Sequence, residues 1–205
     1  MEGARRKTLT LLALALLSSP AHPAPELGPA LQPGDIVFRR QSGFFSEIAR
    51  RHSIGEKRFS HAGIYAVRDG QPVVVHAIYD SERARDGVVI DSFDDFLRDA
   101  SDWAAYRTRM SDAQRAKIGQ LALVAADAAV PFDLDFDLAS TSTVYCTEFI
   151  WRTVNTVAAY ELMPSSRLAG KRDVVRLSDL ILGDGTFVIA DATVVNNATP
   201  IGKKP

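Results

Sequence analysis

A single cysteine stands among 205 residues, so neither an internal disulfide framework nor a zinc site built from several thiolates is open to this chain. An excess of one charge is also missing. Lys and Arg total 24 against 25 Asp and Glu, and without a basic surplus the chain does not read as a nucleic-acid binder. Long apolar runs are absent too: Leu9–Leu17 spans nine residues, well short of the about 20 that cross a hydrocarbon core. A hydrophobic share of 46% excludes intrinsic disorder. What remains is one globular domain of generous size.

The N-terminus carries Arg5, Arg6 and Lys7, then the apolar run, then Ser18-Ser19-Pro20-Ala21. A basic region, a short apolar region and small residues before a break make a secretory signal peptide. Residues 1–21 are assigned to it, with the cut after Ala21. No cysteine lies near that cut, so no lipid anchor is expected. Residues 22–32 read as a Pro- and Ala-rich linker, 33–192 as the folded domain, and 193–205 as a flexible tail. The expected product is exported, periplasmic or secreted, and has no stable membrane anchor. In an oxidising compartment a lone thiol must be buried or used.

Along the domain, the spacing predicts a first strand over Gly34–Phe38, a short helix over Phe44–Arg51 and a basic loop to Arg58. Two β-rich runs follow, Ala62–Val67 and Pro72–Ile78, joined by Arg68-Asp69-Gly70-Gln71, a strong hairpin signal. A strand over Val88–Asp91, a small helix after Ser92 and a strand over Trp103–Arg107 come next. Ser111 or Asp112 opens an amphipathic helix to about Ala129, with Ile118, Leu121, Leu123, Val124 and Ala128 on its apolar face. A second long helix runs over Val144–Ala159. Residues 161–177 read as loop, Leu177–Leu182 as a short apolar segment and Thr186–Ala190 as a last strand. Short strands with a few helices and no βαβ alternation give an α+β domain around an antiparallel sheet.

Cys146 falls in the first turn of the second long helix, with Thr143 as the predicted N-cap. Unpaired N–H groups and the positive end of the dipole favour a thiolate there. The N–H of Cys146, with Tyr145 in support, is placed to hold an oxyanion formed on attack at a carbonyl. If Asp69 and Gly70 are the central pair of a two-residue turn, His61 and His76 lie on the same face as diagonal neighbours. A thiol, an imidazole and a polar group that orients the imidazole form an activated nucleophile. His61 is the predicted base, since the small residues of Ser60-His61-Ala62-Gly63 admit substrate, and His76, among Val73, Val74, Val75 and Ile78, orients it. A satisfied core histidine is the bland alternative for His76, and a small buried hydrophobe for Cys146. His52 reads as a surface residue. Asp133, Asp135 and Asp137 echo a calcium loop, but Leu138 and Val144 stand where Gly and Glu belong, so a turn edge is expected. Zinc held by His61, His76 and Cys146 is a lesser alternative, lacking closely spaced ligands.

Gly34-Asp35-Ile36-Val37-Phe38, Ser60-His61-Ala62-Gly63-Ile64-Tyr65, Val74-Val75-His76-Ala77 and Tyr145-Cys146-Thr147-Glu148-Phe149-Ile150-Trp151 occur in this order. Over about Leu31–Val157 the chain resembles the YiiX/YebB-like group of circularly permuted NlpC-type, papain-like cysteine hydrolases. The resemblance implies a helix bearing the nucleophile packed on an antiparallel sheet bearing the base. It maps the nucleophile onto Cys146, the base onto His61 and the third polar residue, often Glu, onto His76. It also implies amide cleavage in peptides or cell-wall fragments, or, as in more distant relatives, acyl transfer on lipids. The expected protein is an exported cysteine hydrolase that needs no cofactor or metal and acts on a peptide, a cell-wall fragment or an acyl lipid. A non-catalytic module binding peptide or lipid is the alternative from another class.

Overall fold

The computed structural model describes residues 31–191 except 56, 169–171 and 182–184. The predicted signal peptide, most of the linker and the tail lie outside the described residues.

Six antiparallel strands form one sheet in the order β4-β3-β2-β1-β5-β8. They are β1 (Ile36–Arg40), β2 (His61–Arg68), β3 (Gln71–Asp80), β4 (Arg85–Ser92), β5 (Asp102–Thr108) and β8 (Thr186–Asp191). Between them come α1 (Phe44–His52), α2 (Phe93–Leu97), α3 (Asp112–Asp127) and α4 (Cys146–Ala158). A small hairpin of β6 (Ser166–Leu168) and β7 (Arg172–Val174) and a 3-10 turn at Ser178–Leu180 precede β8. The sequence read 161–177 as loop. Three-residue strands carry too little alternation to show a period.

The β2–β3 turn follows from its residues. Asp69 and Gly70 both take positive φ, 52° and 75°, as a primed turn requires, and Arg68 pairs with Gln71 as predicted. Alternation along the strands then divides the sheet into two faces. Ile36, Phe38, Ala62, Ile64, Ala66, Val75 and Ala77 join the larger core with residues of α3 and α4. Val37 and Val74 turn to the opposite face, where Phe93 and Phe96 of α2 cover them. Ser92 caps α2 through Asp95 N–H, and Ser111 caps α3 through Gln114 N–H.

The buried positions of α3 are Arg115, Ile118, Gly119 and Ala122. Val124, expected on the apolar face, is exposed. Gly119 sits against the Pro33–Gly34 turn, where an added Cβ would stand 3.1 Å from Pro33 Cβ, and buried Ile118 and Ala122 carry the contact with the core. The helix α4 behaves as predicted at Phe149, Ile150 and Val154, all buried.

Candidate active site

Two imidazoles meet on the α2 side of the sheet. Ile64 faces Val75, and continuing that register sets His61 and His76 diagonally on one face. His61 Nε2 lies 2.8 Å from His76 Nδ1, with the rings edge to face. Gly63, next to this diagonal, makes the approach possible. A Cβ there would sit 2.5 Å from Val74 Cγ1 and 3.0 Å from His76 Cβ. Of the small residues around His61, Ala62 belongs to the core and Gly63 meets Val74 and His76, while Ser60 reaches the cavity with His61.

A third group on this face was not found from the sequence. Asp91 Oδ2 accepts from His76 Nε2 at 2.9 Å, and Arg85 grips the other carboxylate oxygen at 2.6 Å. Val89 stands opposite His76 and Asp91 opposite Val74 on β4, so period-two alternation placed Asp91 on the histidine face once β3 and β4 were paired. Burial alone would raise the pKa of Asp91. The bonds from His76 and Arg85 outweigh it and hold the carboxyl well below the usual carboxylate range.

An ionised Asp91 fixes the protons along the chain. A carboxylate only accepts, so His76 carries its hydrogen on Nε2, and the neutral ring presents a lone pair at Nδ1. His61 must then donate from Nε2, which leaves Nδ1 of neutral His61 as its basic nitrogen. Both rings are held neutral. Burial lowers the pKa of His61 well below 6.5, with Arg39 and His76 adding to it. Burial also lowers that of His76, though the Asp91 bond opposes the shift.

Cys146 is the first residue of α4, and Tyr145, not Thr143, is its N-cap. The helix starts late because the chain before it is extended: Val144 bridges Phe132, giving its N–H to Pro131 O and accepting from Asp133 N–H. Tyr145 N–H is taken by buried Glu148 at 3.2 Å, and Tyr145 Oη accepts from Val175 N–H at 2.8 Å. The N–H groups of Cys146 and Thr147, orphaned by the helix start, bear on the sulfur. They do not win. Burial pushes the thiol up to about 11 against the pull of both N–H groups, the Thr147 hydroxyl and Arg39. Desolvation thus favours thiol and neutral imidazole, opposing the pull toward thiolate that helix position supplies.

Arg39 is the second group missed. It lies opposite His61 on β1, is buried, and stacks over Phe96 at 4.2 Å. Burial lowers its pKa to about 10. Nothing in the sequence separates it from its exposed neighbour Arg40.

Cys146, His61 and Arg39 line one cavity of about 610 Å³. Ala77 and Tyr79 come from the other face of the sheet, so the cavity lies across the strand ends where α4 begins. Phe132, Phe136 and Leu177 give it an apolar wall. His52 is exposed at its margin. Asp133 closes on its own loop, accepting from Asp135 N–H and Asp137 N–H at 2.9 and 2.7 Å, as a turn edge does. Among the described residues no three His, Cys, Asp or Glu side chains converge as a metal site, and both nitrogens of His76 are engaged.

No curated protein matches the chain. The crystal structure of metalloprotein yiiX from Escherichia coli O157:H7 superposes with a TM-score of 0.64, covering 78% of this chain and 97% of that one at 19% identity, a likeness of fold. Residues 30–172 match the family of permuted papain-like amidase enzymes, YaeF/YiiX, C92 family, and the chain belongs to that family.

Proposed function

We propose that the protein is an exported cysteine hydrolase that cleaves an amide bond in a peptide or cell-wall peptide through a thioester at Cys146. The reading rests above all on one observation: the only thiol, at the start of α4, and His61, with its proton fixed on Nε2 by the His76–Asp91 chain, line the same cavity. Nδ1 of His61 takes the thiol proton as Sγ attacks the carbonyl carbon. The N–H groups of Cys146 and Thr147 stabilise the oxyanion. As the C–N bond breaks, His61 returns the proton to the leaving amine. Water then attacks the thioester, His61 again taking the proton, and the acid leaves as Sγ recovers its hydrogen. His76 and Asp91 are positioning residues that hold the tautomer and bear part of the charge on imidazolium.

Such a relay also answers the resting protonation state. With both reacting groups neutral, attack and proton transfer occur together, and no thiolate stands exposed to oxidants between turnovers.

The apolar wall of Phe132, Phe136 and Leu177 favours a second reading, in which the same residues act on an acyl ester or thioester. Labelling the chain with an electrophilic activity probe, followed by a screen of peptide, muropeptide and long-chain acyl substrates, decides between them. Cys146→Ala should abolish turnover and labelling with an unchanged circular dichroism spectrum. Hydrolysis that survives this substitution removes Cys146 as nucleophile. N-terminal sequencing of the exported product should begin at His22.

A further inference from the structure

We propose that Arg39 is the anchor for a carboxylate carried by the substrate beside its scissile amide, so that the enzyme acts on anionic amides. The inference deepens the amidase reading and rests on it for the word substrate, but its physical content is an anion site next to Cys146. The residue is 7% exposed and lines the cavity with Cys146 and His61. Its guanidinium makes one hydrogen bond, from Nη1 to Phe96 O, and Nε is buried with no acceptor at all. Asp91 and Asp99 act on it only through space, and no carboxylate is paired with it. A buried cation lacking a counter-ion is costly, and a planar fork of five donors matches a carboxylate in two-point contact.

The other cations lining the cavity are less deeply placed. Arg172 is exposed and gives Nη1 to Asp135 O; Arg176 shares a buried Nε without an acceptor, but the residue is only partly buried and gives Nη2 to Arg167 O. On the acidic side, Asp80 already accepts from Glu82 N–H, Arg83 N–H and the Arg83 guanidinium, so its charge is spent locally, and Glu82, which also lines the cavity, is exposed to screening by solvent. Arg39 is thus the one buried cation among the three, and the one for which a missing counter-ion is costly enough to call for a ligand.

The arrangement also links binding to chemistry. Arg39 and His61 are cross-strand partners, and the guanidinium charge is one cause that keeps the imidazole from accepting a proton. A carboxylate seated on Arg39 cancels that field and makes His61 a stronger base only when substrate is present.

The test uses the lone cysteine of the full mature chain and two alkylating agents of nearly equal size, iodoacetate and iodoacetamide. Their rate ratio at Cys146 is measured for folded protein and, as reference, for the same chain in denaturant. The folded ratio should favour iodoacetate by at least about tenfold over the reference, equivalent to about 1.4 kcal/mol. Arg39→Gln should return the ratio to the reference value, and Arg39→Lys should keep part of it. Effects on thiol ionisation cancel in the ratio. A folded wild-type ratio equal to the reference overturns the proposal, and this needs no variant to fold. Alkylation needs no turnover, so a protein that prefers iodoacetate yet hydrolyses no amide sinks the amidase reading and leaves the anion site standing. If amides are cleaved, kcat/KM should favour a peptide with a free carboxylate next to the scissile bond over its carboxamide twin. Equal values would overturn the substrate assignment.

Discussion

Replacing Asp91 by Asn exchanges one carboxylate oxygen for an NH2 group at nearly constant size and reverses a proton chain. In the native site the carboxylate accepts from His76 Nε2 at 2.9 Å on one oxygen and from Arg85 at 2.6 Å on the other. An amide has one acceptor and one donor end. Arg85 is a pure donor, so the Asn oxygen turns to Arg85 and the amide hydrogens turn to His76. His76 Nε2 must then accept, which moves its hydrogen to Nδ1, and His61 Nε2 must accept in turn. The hydrogen of His61 ends on Nδ1, the nitrogen that should take the thiol proton. General-base catalysis contributes about 10²- to 10⁴-fold, so kcat/KM for amide hydrolysis should fall by that factor, while the neutral fold loses about 1.5–3 kcal/mol with the charged hydrogen bonds. Steady-state hydrolysis with a calorimetric melt gives both quantities, and ¹⁵N-resolved NMR of the histidine side chains reads the tautomers directly. Activity within threefold of wild type, with the tautomers unchanged, refutes the relay.

Three other outcomes follow from the geometry of the same site. Gly63→Ala should displace His76, because the added Cβ would stand 2.5 Å from Val74 Cγ1 and 3.0 Å from His76 Cβ; the expected cost is about 1–3 kcal/mol in urea unfolding with a marked loss of kcat, and a neutral effect would show that the strand shifts freely. With the thiol pushed up to about 11, the rate of iodoacetamide labelling of Cys146 should keep rising from pH 8 to pH 10, whereas a plateau below pH 8 would mean a resting thiolate. His61 and His76 are depressed in the fold, so below about pH 6.5 the unfolded chain binds protons that the native state refuses. Stability should therefore be full above that pH and fall by about 1.4 kcal/mol per pH unit per histidine as the solution is acidified, a slope that His61→Gln/His76→Gln should flatten in thermal melts.

The hairpin explains why so much of the histidine pair was legible. A two-residue Asp-Gly turn fixes register by itself, and register fixes which side chains share a face. The proximity of His61 and His76 was therefore readable from local chemistry. Asp91 obeyed the same alternation, but the β3–β4 connection, Ser81-Glu82-Arg83-Ala84, announces no tight turn, and without a register its side could not be assigned. The start of α4 was misplaced for a different reason. Thr143 is a good capping residue, yet the bridge from Val144 to Phe132 holds the chain extended, a contact between segments that no local pattern contains. The thiol's protonation depends on desolvation by neighbours distant along the chain, which helix position does not report. Arg39 was unreadable for a similar cause, since its isolation consists of partners it lacks.

Val175 lies just past the stretch shared with the family, residues 30–172. Its N–H reaches Tyr145 Oη at 2.8 Å and its carbonyl accepts from Thr147 Oγ1 at 2.7 Å, so one residue's backbone ties down the residues on either side of Cys146. A version of the protein trimmed to the matched stretch would retain every reacting group and lose the strap that keeps the sulfur's turn in place. The minimal unit that reproduces the chemistry is therefore longer than the one defined by kinship.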